Sequence, residues 1–315
     1  MLFSRKALKL KVTVLVLLLA LLVVLLKPIR TDDSIAPPDS ELLAGKQHFL
    51  KNTPPNTLAK RPNIVILLAD DLGKNDISLY GAPVPTPHID ALAASGVAFS
   101  AGYVTAPICS PSRAGLITGR YQERFGYDLQ PGDHYPMNRL EILGGNALFF
   151  VASSFRCLQG DFVGKYQTRY PTPAAAAAQG LPLSELTFAE LAKTQGYATA
   201  VIGKWHLGTG PGQHPLERGF DYHFGFYGAA TMYAPAGAGD MVETPYSDRT
   251  GTFLWVTRER QRIRNGQPVE DNAFLTERLA EESVAFIEQH HDQPFLLYVP
   301  FNAPHTPFHV PKQYF

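Results

Sequence analysis

The chain has 315 residues, and its 28 Lys and Arg balance 28 Asp and Glu, for no formal net charge. Hydrophobic residues make up 45% and charged ones 18%, enough apolar content for a sizeable core, which excludes a disordered chain. Neutrality excludes a general nucleic-acid binder, and two cysteines, Cys109 and Cys157, exclude a disulfide scaffold.

Met1–Arg30 reads as basic, then apolar, then basic. Arg5, Lys6, Lys9 and Lys11 precede an apolar run from Val12 to Leu26 that only Thr13 interrupts, and Lys27 and Arg30 follow. As a helix the run spans about 22 Å, short of a hydrocarbon core of about 30 Å. That length suits a signal-peptide core or a signal-anchor with snorkelling lysines. No small-x-small cleavage site follows directly, which favours the uncleaved anchor. Either reading predicts export of the remainder (periplasmic, secreted or lumenal), with membrane attachment through residues 12–26 in the anchored case. Residues 31–61, rich in Pro, Asp, Lys and Asn, are expected to be a linker.

The rest alternates strand and helix. Asn63–Ala69 is a continuous apolar, β-branched run, as in a strand buried on both faces. Thr86-Pro87 supplies an N-cap and first-turn proline for a short helix stopped by Gly96. Val97–Val104 is expected to be the next strand. Ser110-Pro111 repeats the cap-and-proline pairing, with Gly119 where a C-cap sits. Thr187 and Glu190 predict a capping box for a helix ending at Gly196. Ala198–Ile202 reads as a strand, Leu275 to about His290 as an amphipathic helix, and Phe295–Val299 as a buried strand. This alternation predicts an α/β fold, a mainly parallel central sheet with helices on both faces. Residues 141–180, with Gly-Gly, an apolar run, Cys157 and five alanines at 174–178, fit no period and are set apart as atypical, either a surface insertion or sequence outside the folded core.

In open α/β sheets, ligands bind beyond the carboxyl ends of the strands. Three predicted strands deliver polar residues there: Asp70 and Asp71, then Lys204 and His206, then Asn302 and His305. Adjacent carboxylates repel unless a positive charge lies between them, and oxygen ligands suit Ca²⁺ or Mg²⁺; a helix N-cap pair is the plainer reading of the doublet alone. Cys109 stands just before a predicted helix N-terminus, four residues ahead of Arg113. It is either a thiol activated by the helix dipole and Arg113, or a buried structural cysteine.

Cys109-Ser-Pro-Ser-Arg113, followed by Thr118-Gly119, resembles the signature of the sulfatase family, whose cysteine is oxidised to formylglycine by a dedicated generating enzyme. Pro62-Asn-Ile-Val-Ile-Leu-Leu-Ala-Asp-Asp-Leu-Gly73 resembles the family's opening strand and metal-binding aspartates. Thr86-Pro-His-Ile-Asp90, Gly203-Lys-Trp-His-Leu-Gly208, Arg218-Gly-Phe-Asp221 and Ala303-Pro-His-Thr-Pro307 fit in order. The resemblance covers roughly Arg61 to Phe315 apart from 141–165, and defines a catalytic domain over 62–315 of alkaline phosphatase/sulfatase-like fold.

The resemblance implies hydrolysis of sulfate esters, on a sulfated sugar or aryl sulfate. Asp70, Asp71 and the Cys109-derived formylglycine would hold a divalent cation, usually Ca²⁺, with Mg²⁺ the alternative. The formylglycine hydrate would attack sulfur with one hydroxyl, and its second hydroxyl would expel sulfate. Arg113 would orient the formylglycine, Lys204 would bind a sulfate oxygen, His206 would act as base, and His305 would bind sulfate and protonate the leaving oxygen.

Two departures go with the resemblance. The family's further metal ligands, an Asp-Asn or Asp-Gln pair, come well after the His-x-Pro motif, whereas Asp271-Asn272 precedes the strand carrying His305 and is not assigned. The second active-site lysine and the smaller C-terminal subdomain are expected to be missing. A phosphonate or phosphodiester hydrolase of the same superfamily, and a truncated, inactive binding protein, remain as alternative functions.

Overall fold

The computed structural model describes residues 5–26, 31–32, 40–55, 57, 61–127, 170–171, 180–235, 237–244 and 260–315. The chain divides into two units, Met1–Ile35 with Gly132–Ala176, and Ala36–Pro131 with Ala177–Phe315. In the first, the apolar run lies within a helix over Arg5–Leu26, and Thr31–Asp32 pairs in parallel with Tyr170–Pro171. No helix among the described residues is long and apolar enough to cross a membrane. The atypical stretch 141–180 falls outside the described residues except at positions 170, 171 and 180.

The second unit is built on a six-stranded sheet. Its order is Ile64–Leu68, Phe295–Pro300, Ala198–Lys204, Tyr222–Phe226, Ile263–Arg264 and Gln267–Pro268. The first four strands are parallel, with Ile64 opposite Leu296, Ala198 opposite Phe295 and Ala200 opposite Tyr222. The last two run antiparallel. Alternating residues of the central strands send one set of side chains to each face. Val201, Leu296 and Tyr298 pack with Ala114, Ile117 and Ala189. Ile202, Leu297 and Val299 pack with Leu275, Leu279 and Phe286. The expected layering, helices on both faces of a mainly parallel sheet, is therefore present.

Several local expectations are corrected. The Ile64–Leu68 strand lies at the sheet edge, with Val65 46% and Leu67 61% exposed, not buried on both faces. An apolar run cannot distinguish an edge from a centre, because that depends on strand order. Val97–Val104 forms no strand. The carbonyls of Phe99 and Ser100 accept instead from Tyr80 Oη and Lys74 Nζ. The helix after Ile108 begins at Cys109, so Ser110 is already inside it and is not its cap. Within 31–61, Ser40–Asn52 is helical, and Lys46 reaches Glu190 at 2.6 Å.

Other sequence signals are met. The Thr187–Glu190 capping box closes with bonds of 3.0 and 2.8 Å. Pro87 opens the Pro87–Ser95 helix, which ends before Gly96. Gly119 takes the left-handed conformation at the end of Cys109–Thr118.

Candidate active site

Adjacent parallel strands end on the same side, so their following residues meet. The Asp70 amide donates to Ala303 O at 3.0 Å, and the Phe301 amide to Leu68 O at 2.9 Å. These bonds join the loop after the first strand to the loop carrying His305. The Cys109–Thr118 helix packs over the same end, with Ser110, Arg113, Ala114 and Ile117 buried.

Asp70 is the buried anion of the site. Lys204 Nζ lies 2.7 Å from its Oδ2, and Arg113 Nη2 lies 3.2 Å from its Oδ1. Arg113 Nη1 also donates to Lys204 O at 3.0 Å. Burial alone would raise the Asp70 carboxyl, but Lys204 and Arg113 outweigh it and hold it below the usual carboxylate range. Burial likewise opposes the charge on Arg113, which Tyr298, Asp70 and Cys109 restore and strengthen.

Cys109 Sγ lies 3.3 Å from His206 Nδ1. His206 is 2% exposed. Burial, then the positive charges of Lys204 and Arg113, push its pKa well below the ordinary histidine value. The imidazole is thus neutral near pH 7. Its Nε2 is buried with no hydrogen-bond partner among the described residues.

His305 Nε2 faces Asp71 Oδ2 at 3.6 Å. Its Nδ1 lies 2.6 Å from Thr306 O. A carbonyl only accepts, so Nδ1 carries the hydrogen and Nε2 is the atom left for the site. Asp71 is in the left-handed region at φ 64°, and its side chain is 60% exposed.

All seven residues given roles by the resemblance therefore come to one end of the sheet, in three contact sets: Asp70 with Arg113 and Lys204, Cys109 with His206, and Asp71 with His305. Sequence reasoning missed two tyrosines. Tyr233 Oη lies 2.8 Å from Asn302 O and 2.7 Å from His305 O. Tyr298 stands beside Arg113, and burial raises its pKa. The inward alternation of the Phe295–Pro300 strand could have flagged Tyr298. No local pattern links Tyr233 to residues some seventy positions later.

Asp70 and Asp71 suit two positions of a hard cation's shell, since both are oxygen donors on one strand end. They do not complete one. Both Asp70 oxygens are engaged by cationic side chains, and no three His, Cys, Asp or Glu side chains among the described residues form a metal-binding group. Asp271 is taken up by Arg278 at 2.9 Å.

A mainly parallel sheet with buried cations, a carboxylate pair and a cysteine at a helix start gathers anion-handling groups at one end of an alkaline phosphatase-like fold. The sulfatase family model matches residues 62–146 and 149–315, and the chain belongs to that family. The match runs through nearly all of the stretch that looked atypical. The N-acetylgalactosamine-6-sulfatase of Rattus norvegicus is 32% identical over 265 residues, 80% of this chain and 41% of that protein. The arylsulfatase of Klebsiella aerogenes is 29% identical over 282 residues, 87% of this chain and 48% of that protein. The crystal structure of Ps i-CgsB superposes with a TM-score of 0.55 at 29% identity, over 79% of this chain and 46% of that one. The chain thus spans less than half the length of these relatives. The family generally uses formylglycine and a divalent cation.

Proposed function

We propose that this chain carries the nucleophile-bearing part of a sulfuric ester hydrolase acting on a sulfated sugar or an aryl sulfate. The carrying observation is the contact of Cys109, at a helix start, with neutral His206 beside the Asp70–Arg113–Lys204 cluster. The sugar reading draws support from the named N-acetylgalactosamine-6-sulfatase relative and from Ps i-CgsB, solved with k-i-k-neocarrahexaose.

Formylglycine made from Cys109 by a generating enzyme would, as its hydrate, supply one hydroxyl as nucleophile and a second to release sulfate. Arg113, fixed on Asp70 and the Lys204 carbonyl, would orient the Cys109 position. Lys204 would bind a sulfate oxygen. Neutral His206 would accept a proton at Nδ1, the atom facing Cys109. His305, its Nδ1 held by Thr306 O, would act through Nε2 on sulfate and the leaving oxygen. Asp70 and Asp71, with an oxygen at the Cys109 position, would contribute to holding Ca²⁺, or Mg²⁺ in its place, which would add positive charge against the sulfate. The helical apolar run within Arg5–Leu26 supports export, with that segment as signal or anchor.

A second reading, a sulfated-ligand binding protein without turnover, is favoured by one observation: the partial cation shell. Mass spectrometry of the Cys109 peptide from the native host, with turnover of an aryl sulfate and a matched phosphodiester, separates the readings. Formylglycine with sulfate-ester turnover supports the hydrolase. Preferred phosphodiester turnover moves the chain to the related phosphoesterases. An intact thiol with ligand binding and no turnover supports the binding protein.

A further inference from the structure

We propose that Ser110 and Tyr127 are positioning residues that hold His206 against Cys109. The proposal rests on Cys109 and His206 being the reacting pair, as read above.

Ser110 Oγ donates to His206 O at 2.6 Å. It also lies 2.9 Å from Tyr127 Oη. The carbonyl can only accept, so the serine proton is committed to His206. The Tyr127 contact must then be made by the phenol's proton. The result is one directed chain, from Tyr127 O–H to Ser110 O–H to His206 C=O. Ser110 is 0% exposed, Tyr127 7% and His206 2%, so no bulk water competes, and hydrogen bonds in series reinforce each other. Burial raises the Tyr127 pKa far above its ordinary value, so the phenol stays a donor.

The clamp acts on a strained residue. His206 has φ 54°, in the left-handed region that favours glycine. Its amide donates to Tyr227 O at 3.1 Å, so both of its backbone polar groups are held. Its ring then meets Cys109 Sγ at 3.3 Å. Ser110 directly follows Cys109, so a single helix start carries both the sulfur and the clamp on its histidine. Helix capping does not account for Ser110, because the cap position is Ile108.

The test uses the full chain with Cys109 as a thiol, verified by intact mass. The rate of iodoacetamide alkylation at the Cys109 peptide is followed at one pH, well below the melting temperature. By this proposal the clamp keeps His206 Nδ1 at 3.3 Å from Cys109 Sγ, where it can accept the thiol's hydrogen as the sulfur attacks, so loosening the clamp slows the reaction. Tyr127→Phe is expected to slow it about threefold and Ser110→Ala about tenfold, the range of one lost hydrogen bond. Ser110→Thr, which keeps the hydroxyl, should restore most of the rate. In a His206→Ala background neither change should have any further effect. Wild-type rates in both variants, or equal slowing with and without His206, would overturn the proposal. If Ser110→Ala fails to fold, Tyr127→Phe, which keeps the ring, decides alone. The assay needs no sulfate-ester turnover. A chain that hydrolyses nothing but shows the coupling keeps the clamp and loses the hydrolase reading.

Discussion

Lys204 Nζ lies 2.7 Å from Asp70 Oδ2, with the two side chains 0% and 5% exposed. Removing one partner of a buried pair leaves the other charge uncompensated, at about 3–5 kcal/mol. Arg113 still faces Asp70 at 3.2 Å, so Lys204→Met should cost near the lower end, about 3 kcal/mol. Urea denaturation of the purified chain measures this. Adding Asp70→Asn to Lys204→Met should deepen the loss, because the buried Arg113 is then left without its partner. No change in Lys204→Met would show that the pair adds nothing to stability.

The Tyr233 hydroxyl shares its proton between Asn302 O and His305 O. Its ring stacks on Phe274 at a centroid distance of 5.9 Å, a contact that Tyr233→Phe keeps. We expect that variant to lose about 1–2 kcal/mol of stability. If His305 acts on the leaving oxygen, kcat should fall more than KM changes. Steady-state kinetics beside a denaturation curve separates the two effects.

Gly203 lies within the Ala198–Lys204 strand at φ 139°, and a Cβ there would stand 2.0 Å from Pro300 O. The neighbouring backbone cannot retreat without breaking the parallel pairing. Gly203→Ala should therefore destabilise by more than about 3 kcal/mol, read as a large drop in the circular-dichroism melting temperature. An unchanged melt would show that the two strands can separate locally.

His223 is fully buried, and burial, then His214, pushes its pKa from 6.5 down to about 3. Its depressed value means the unfolded chain binds the proton first. Stability is then full above pH 6.5 and is lost as pH falls toward about 3, at no more than about 1.4 kcal/mol per pH unit. His223→Phe should flatten the dependence of melting temperature on pH between 6.5 and 4.5. A parallel curve in the variant would assign the acid sensitivity to other groups.

Much of the site was legible in sequence because strand periodicity and chain order carry it. Apolar runs ending in Asp70-Asp71, in Lys204-x-His206 and ahead of His305 place polar residues at strand ends, and adjacent parallel strands must deliver such ends together. The Thr187–Glu190 box and Gly119 are equally local signals, since each reports a bond within one turn of helix. The Asp271-Asn272 pair, left unassigned on sequence, is engaged by basic side chains, Asp271 by Arg278 and Asn272 by Arg260.

The amino-acid sequence by itself determined the parallel α/β plan, the family and the seven polar residues, because these follow from residue type and spacing along the chain. Only the tertiary structure decided how those residues pair. Asp70 is shared by Lys204 and Arg113, His206 turns Nδ1 to Cys109, and His305 keeps Nε2 for the site. It also decided that Ile64–Leu68 is an edge strand, that Val97–Val104 is not a strand, and that Ser110 clamps His206 instead of capping a helix. These facts depend on contacts between residues tens to hundreds of positions apart. No local periodicity encodes which hydrogen-bond partner a buried group will find there.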